Sequence, residues 1–157
     1  MPPSAVPILA TVGEPPHAAP PGVTVYPSPF VPPLPGIEQV GYLTSDTLWE
    51  RLKDQDAPPK RLVVLGGGPI GCELAQSFAR LGSQVTQVEM APRIMLREDE
   101  EVSALARASL EADGITVLTG HKALRCEVER AGDGQGDVVR RILVVEAAGA
   151  ERRIEFD

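Results

Sequence analysis

Two hydrophobic rhythms follow one another along this chain, and each change of rhythm marks an element boundary. Leu62 to Leu65 is an unbroken apolar run, the pattern of a strand buried on both faces of a parallel sheet. A glycine-rich turn follows, and then Ile70, Leu74 and Phe78 recur every four residues with Ala75 and Ala79 beside them. That spacing predicts a helix starting near Pro69 with its apolar stripe laid on the sheet. Pro69 suits a first helical turn because its missing N–H has no partner there in any case, and Gly82 provides a C-terminal cap. Gln84 to Glu89 reads as a second strand, in which Val85 and Val88 break strict alternation.

Farther on, Val102, Leu105, Ala106, Ser109 and Leu110 return at helical spacing, predicting a helix over Asp99 to Asp113 that Gly114 closes. Ile115 to Leu118 is the expected third parallel strand. Ala123 to Glu129, Arg141 to Glu146 and Arg152 to Phe156 read as an antiparallel meander, joined by the turn GDGQG and by Ala147 to Ala150. Upstream of the first strand, Thr44 or Ser45 caps a short helix reaching Lys53, whose apolar face is Leu48, Trp49 and Leu52. Trp49 at that spacing reads as core rather than as a ring-stacking platform. Asp54 to Lys60 is a polar loop.

The first 36 residues hold 12 of the chain's 16 prolines. Proline removes backbone donors and blocks helix and ladder alike, so residues 1–36 are expected to form a disordered tail and linker, with one domain over residues 37–157. A polyproline ligand for SH3 or WW domains is the other use of such a tail, but flanking basic residues are missing. The fold class that results is α/β, with a Rossmann-like parallel sheet, helices and a small antiparallel meander.

The chemistry lies in the order strand, glycine turn, helix, strand, acid. Gly66, Gly68 and Gly71 have dinucleotide-binding spacing, and Glu89 follows Gly68 by 21 residues, about where a carboxylate meets an adenosine ribose. Gly66 permits the tight turn. Gly68 removes a side chain where a pyrophosphate must approach, and Gly71 lets helix and strand pack closely. The phosphates would rest on the unpaired N–H groups and positive dipole end of the helix. An exposed Glu89 contacting a ribose would repel a 2′-phosphate, which favours NAD over NADP, although Arg93 could soften that preference. An S-adenosylmethionine-dependent methyltransferase shares the acid, but Gly71 and the helix spacing fit a dinucleotide better.

Other features narrow the possibilities. A formal charge of −7 disfavours nucleic acid, which requires a basic surface. No apolar run approaches the ~20 residues of a membrane helix, and no secretory signal opens the chain, so the cytoplasm is the expected compartment. Cys72 and Cys126, with 53 residues between them, have neither zinc-site nor disulfide-framework spacing. Cys72 stands at a helix start where the dipole can lower a thiol pKa, but a small buried residue is the simpler reading of both cysteines. Glu98 to Glu101 reads as a solvated helix N-terminus rather than a metal site, and His17 and His121 as surface residues.

The string GGGPIGCELAQSFARLGSQVTQVEMAPRIM, continuing through REDEEVSALARASLEADGITVLTG, resembles the nicotinamide-nucleotide domain of the pyridine nucleotide-disulfide oxidoreductases, in particular dihydrolipoamide dehydrogenase and the mercuric-reductase-like enzymes. The resemblance runs from about Val31 to Asp157 and is most specific over Arg61 to Gly120. It implies an FAD-binding domain interrupted by this NAD-binding domain, a dimerisation domain after it, and electrons passing from NADH through flavin to a cysteine pair. By this resemblance Gly66, Gly68, Pro69, Ile70 and Gly71 form the pyrophosphate turn and Glu89 holds the ribose. Glu73 matches a glutamate that pairs with a lysine near the flavin; its simpler reading is a first-turn carboxylate favoured by the helix dipole.

The family's two cysteines four residues apart have no counterpart, since Cys72 and Cys126 cannot form that pair. Only VPPLPG, Val31 to Gly36, resembles the usual interdomain connection, and ILATVGEP resembles the family's Ala-Thr-Gly segment only faintly, at a longer spacing. The implied function is therefore that of an NAD(H)-binding domain fragment, truncated at its C-terminal end, of an FAD-dependent oxidoreductase whose full-length form is a homodimer. A stand-alone NAD-binding or interaction module, and a truncated product without function, are the alternatives.

Overall fold

The computed structural model describes residues 8–10, 31–131 and 138–157. In chain order the elements are β1 (Ile8–Ala10), α1 (Ile37–Val40), β2 (Leu43–Thr44), α2 (Leu48–Leu52), β3 (Arg61–Leu65), α3 (Pro69–Arg80), β4 (Gln84–Val88), α4 (Glu100–Ala112), β5 (Thr116–Leu118), β6 (Lys122–Ala131), β7 (Val138–Ala147) and β8 (Ala150–Phe156). The first five strands form a parallel sheet in the order β2-β1-β3-β4-β5, and the last three form an antiparallel meander. The expected α/β fold, with a Rossmann-like sheet and a meander, is the one observed.

The buried run in β3 explains the layering. Successive side chains of a strand point to opposite faces. Leu62 and Val64 enter a core with Cys72, Ala75 and Phe78 of α3, Leu110 of α4 and Val85 of β4. Val63 and Leu65 enter a second core with Leu143 and Val145 of β7, Ile154 and Phe156 of β8, and Cys126 of β6. The parallel sheet is thus sandwiched between helices and meander, which is why β3 tolerates no polar residue between Leu62 and Leu65. At one end of this sandwich Arg61 ties β3 to β8: its guanidinium bonds the Asp157 carboxylate at 2.6 and 3.0 Å and pairs with Glu155 at 2.9 Å.

Three expectations are corrected. Ile8–Ala10, within the stretch read as a disordered tail, pairs in parallel with both β2 and β3. This triplet contains no proline, so all its ladder donors are present where the neighbouring sequence lacks them. Trp49, read as core, is 70% exposed, while Leu48 beside it is buried. The helix there is only five residues long, too short for a wide apolar face to close over. In α4 the buried positions are Ser103 and Leu110, with Ala106 partly buried, whereas Val102 and Leu105 face outward, Leu105 at 72% exposure. A polar residue occupies the inner face, where the Ser103 hydroxyl donates to the Ile94 carbonyl at 2.6 Å and is thereby satisfied. The GDGQG turn lies outside the described residues.

The segment read as a linker is packed against the meander. The Cys126 N–H donates to the Pro35 carbonyl at 2.7 Å. Gly36 has φ +82, and a Cβ there would lie 2.1 Å from the Cys126 carbonyl oxygen. A Gly36→Ala substitution therefore faces both a left-handed backbone and a clash with main chain. It should lower the unfolding free energy by roughly 2–4 kcal/mol, read from the midpoint of urea denaturation; a midpoint unchanged from the native chain would mean that Gly36 is not held against β6.

Candidate functional site

The glycine turn sits at the C-terminal end of β3, against the end of β4. Gly66 has φ +113, and its N–H donates to the Val88 carbonyl at 2.9 Å. Gly67 is enclosed: a Cβ there would come within 2.8 Å of the Ile94 side chain and 3.0 Å of the Glu89 side chain. Its N–H donates to Glu89 Oε2 at 2.6 Å, and its carbonyl accepts from the Met95 N–H at 2.6 Å. Gly68 differs from both. Its backbone is extended at φ −77 and ψ 178, which any residue adopts, and a Cβ there would meet nothing within 4 Å among the described residues.

Gly68 is also the N-cap of α3, and no side chain caps this helix. Pro69 has no N–H, and the first intrahelical bond runs from the Cys72 N–H to the Gly68 carbonyl at 3.0 Å. The Ile70 and Gly71 N–H groups precede that bond, so they belong to the donors that helix geometry leaves without an internal partner. A helix start with unpaired N–H groups and open space in front of it suits an anion. Ile70, expected on the sheet-facing stripe, is instead 54% exposed. The buried stripe is Gly71, Cys72, Ala75 and Phe78, because the second helical residue lies past the strand end and has no sheet beneath it.

Of the expected site residues, Gly66, Gly68, Pro69, Ile70 and Gly71 are contiguous in this turn, and Glu89 is joined to it through Gly67. Glu89 was expected to be an exposed contact, but it is half-buried. Its second oxygen, Oε1, accepts from the Ala91 N–H at 2.7 Å, so two main-chain donors fix the carboxylate. Each carboxylate oxygen still has acceptor capacity beyond one bond. Glu73 is exposed and lies outside the first helical turn, so the first-turn dipole reading does not apply to it. The Arg93 guanidinium turns back on its own loop, Nη1 donating to the Glu98 carbonyl at 2.8 Å and the Met95 carbonyl at 3.2 Å.

Three site features escaped the sequence reading. Gly67, the middle of GGG, has no part in the dinucleotide spacing, yet its backbone binds both Glu89 and Met95. The loop after β4 folds over the turn, with Met95 at φ +52; no local residue pattern announces that close return. Gln87 is completely buried, its Nε2 donating to the Gly66 carbonyl at 2.9 Å and facing Cys72 Sγ at 3.5 Å. Its signal was present as a polar residue inside a buried strand.

The family model for pyridine nucleotide-disulphide oxidoreductases matches residues 26–156. The chain belongs to this family. It is 39% identical over 131 residues to a dihydrolipoyl dehydrogenase of Rhizobium etli, covering 78% of this chain and 27% of that protein. It is 38% identical over 130 residues to a mercuric reductase of Bacillus cereus, covering 83% and 19%. Among solved structures, an FAD-dependent pyridine nucleotide-disulphide oxidoreductase from Desulfovibrio vulgaris aligns with a TM-score of 0.61 at 26% identity, over 82% of this chain and 31% of the other. The HOCl-induced flavoprotein disulfide reductase RclA from Escherichia coli aligns at 0.57 and 27%, over 82% and 26%. The chain thus spans under a third of the length of each of these oxidoreductases. Among its described residues no helix is long and apolar enough to cross a membrane.

Within this member of the family the two cysteines are separated by the sheet. Cys72 lies in the helix-side core and Cys126 in the meander-side core. Burial is the main cause of the raised Cys72 pKa, opposed by the Gln87 hydrogen bond, and burial pushes the Cys126 thiol up to about 11. Both shifts favour the neutral thiol. Because a raised pKa leaves less thiolate at a given pH, neither thiol should react with Ellman's reagent at pH 8 in the folded chain within the time both react in denaturant. Prompt reaction of one native thiol would show that its core opens.

Proposed function

We propose that this chain is an NAD(H)-binding domain of an FAD-dependent pyridine nucleotide-disulphide oxidoreductase, with the dinucleotide over the glycine turn. The observation that carries the reading is Gly68. Folding requires a glycine at Gly67, where a Cβ would collide, and at Gly66, whose φ is positive. Nothing comparable applies to Gly68, so the missing side chain there is best explained by a group that approaches from outside. The unpaired N–H groups of Ile70 and Gly71 suit a pyrophosphate in that space, and Glu89 suits an adenosine ribose.

When bound, NADH supplies a hydride, and the residues of this chain contribute binding and orientation. Ile70 and Gly71 would offer N–H donors to the pyrophosphate. Glu89, fixed by the Gly67 and Ala91 N–H groups, would offer its remaining acceptor capacity to ribose hydroxyls and disfavour a 2′-phosphate by charge. Arg93 is engaged by carbonyls of its own loop, which draws its guanidinium away from offsetting that repulsion. Glu73, exposed on α3, is free to meet a flavin-side lysine. The names of the relatives, a dihydrolipoyl dehydrogenase, a mercuric reductase and flavoprotein reductases, support a flavin-dependent oxidoreductase as the parent activity. The separation of Cys72 from Cys126 favours one further reading, in which this chain binds the dinucleotide without performing dithiol chemistry of its own.

Fluorescence titration of the chain should show saturable NADH binding, about tenfold or more tighter than NADPH binding. The discriminating variant is Gly68→Ala. Its Cβ meets no described atom, so stability should change by no more than about 1 kcal/mol, while NADH affinity should fall about tenfold or more. A Gly68→Ala chain that binds NADH as tightly as the native one would remove the main support for this site. NADPH binding the more tightly would overturn the role given to Glu89.

A further inference from the structure

Gln87 is a costly residue for the inside of a sheet. It is wholly buried in the middle strand layer, and its Oε1 has no hydrogen-bond partner. Burying an amide with an unpaired oxygen costs stability that an apolar side chain would not. Its Nε2 nevertheless donates to the Gly66 carbonyl at 2.9 Å. The carbonyl can only accept, which fixes the amide with its nitrogen toward the turn and leaves the oxygen without a bond.

The Gly66 carbonyl and the Gly67 N–H belong to one peptide group. Gln87 holds the carbonyl end, and Glu89, two residues along the same strand, holds the N–H end at 2.6 Å. This peptide lies in a run of three glycines, where side chains impose no restriction on its rotation. Turned over, its carbonyl oxygen would face the Glu89 carboxylate and its N–H would face the Gln87 amide hydrogens, so both contacts would become repulsive. Any rotation must also be absorbed by the next peptide, which enters the start of α3.

We propose that Gln87 is a positioning residue for dinucleotide binding, which locks the Gly66–Gly67 peptide so that the N–H groups at the start of α3 are already aimed before the pyrophosphate arrives. Gln87 is too deeply buried to touch the ligand and acts only through the turn. The inference rests on the dinucleotide reading of the site.

Its test is Gln87→Met, which keeps length and volume and removes the donor. The variant should still fold, because the loss of an unpaired buried oxygen offsets the donor lost to the Gly66 carbonyl, yet it should bind NADH about threefold to tenfold more weakly, the loss of one neutral hydrogen bond. A residue that merely filled the core would leave affinity unchanged, so equal NADH affinity in a folded Gln87→Met chain overturns the inference. No saturable binding by the native chain overturns the dinucleotide reading first and this inference with it. If the variant does not fold, NMR hydrogen exchange on the native chain decides: the Gln87 side-chain amide and the Gly67 N–H should both be strongly protected, and rapid exchange of the Gln87 amide overturns the lock.

Discussion

The constraint on which the site depends is the close approach of the glycine turn to the end of β4. Gly67 can carry no side chain there, because a Cβ would lie 2.8–3.0 Å from Ile94 and Glu89. In exchange for that lost volume its N–H and carbonyl are both bonded, to Glu89 and to Met95. The approach thus joins the turn after β3 to the connection between β4 and α4, at Glu89 and again at Met95. That loop is fastened in turn by Ser103, whose hydroxyl donates to Ile94. A polar residue on the inner face of α4 is therefore coupled through Ile94 to the geometry of the turn. Val102 and Leu105, on the other side of the helix from this bond, face outward.

The layering of the domain supports this arrangement from below. β3 is buried on both faces, by α3 and α4 on one side and by the meander on the other. A strand so enclosed cannot slide, since a one-residue slip would exchange the two sets of side chains between cores of different shape. The residue at its C-terminal end is consequently held in a fixed place, and the turn begins from that place. The ion pairs of Arg61 with Glu155 and Asp157 are half-exposed and add little by themselves. Their geometric effect is to tie the other end of β3 to β8.

Sequence made legible those parts of the molecule whose causes are local. Leu62 to Leu65, the glycine spacing, Pro69 and the glycines after the helices each have a reason confined to a few residues, and the elements they mark were found with boundaries close to those observed. What sequence hid depends on contacts between distant segments. Proline density around Ile8–Ala10 obscured a strand that forms only because β2 and β3 are there to pair with it. Helical spacing places Leu110 and Ala106 of α4 correctly against the core, but it puts Val102 and Leu105 there too, whereas Ser103, bonded to a loop carbonyl, holds the inner position. Trp49 was assigned by type and spacing, which say nothing of whether a five-residue helix has enough neighbours to cover it. Ile70 shares the spacing of the stripe, but spacing does not say where the sheet beneath it stops.

The same distinction clarifies Glu89. As a sequence feature it was one acid at a suitable distance from the glycines. In three dimensions it is part of the turn, because removing its carboxylate would leave the Gly67 and Ala91 N–H groups without their acceptor. Binding and folding are therefore entangled at Glu89, and a weakened ligand affinity in a Glu89 variant would not by itself identify a ribose contact. At Gly68 they separate: its backbone is ordinary, its surroundings among the described residues are open, and an added methyl group has only an incoming ligand to obstruct. Among the glycines of this turn, the one with the least to do in the fold is thus the most informative about function.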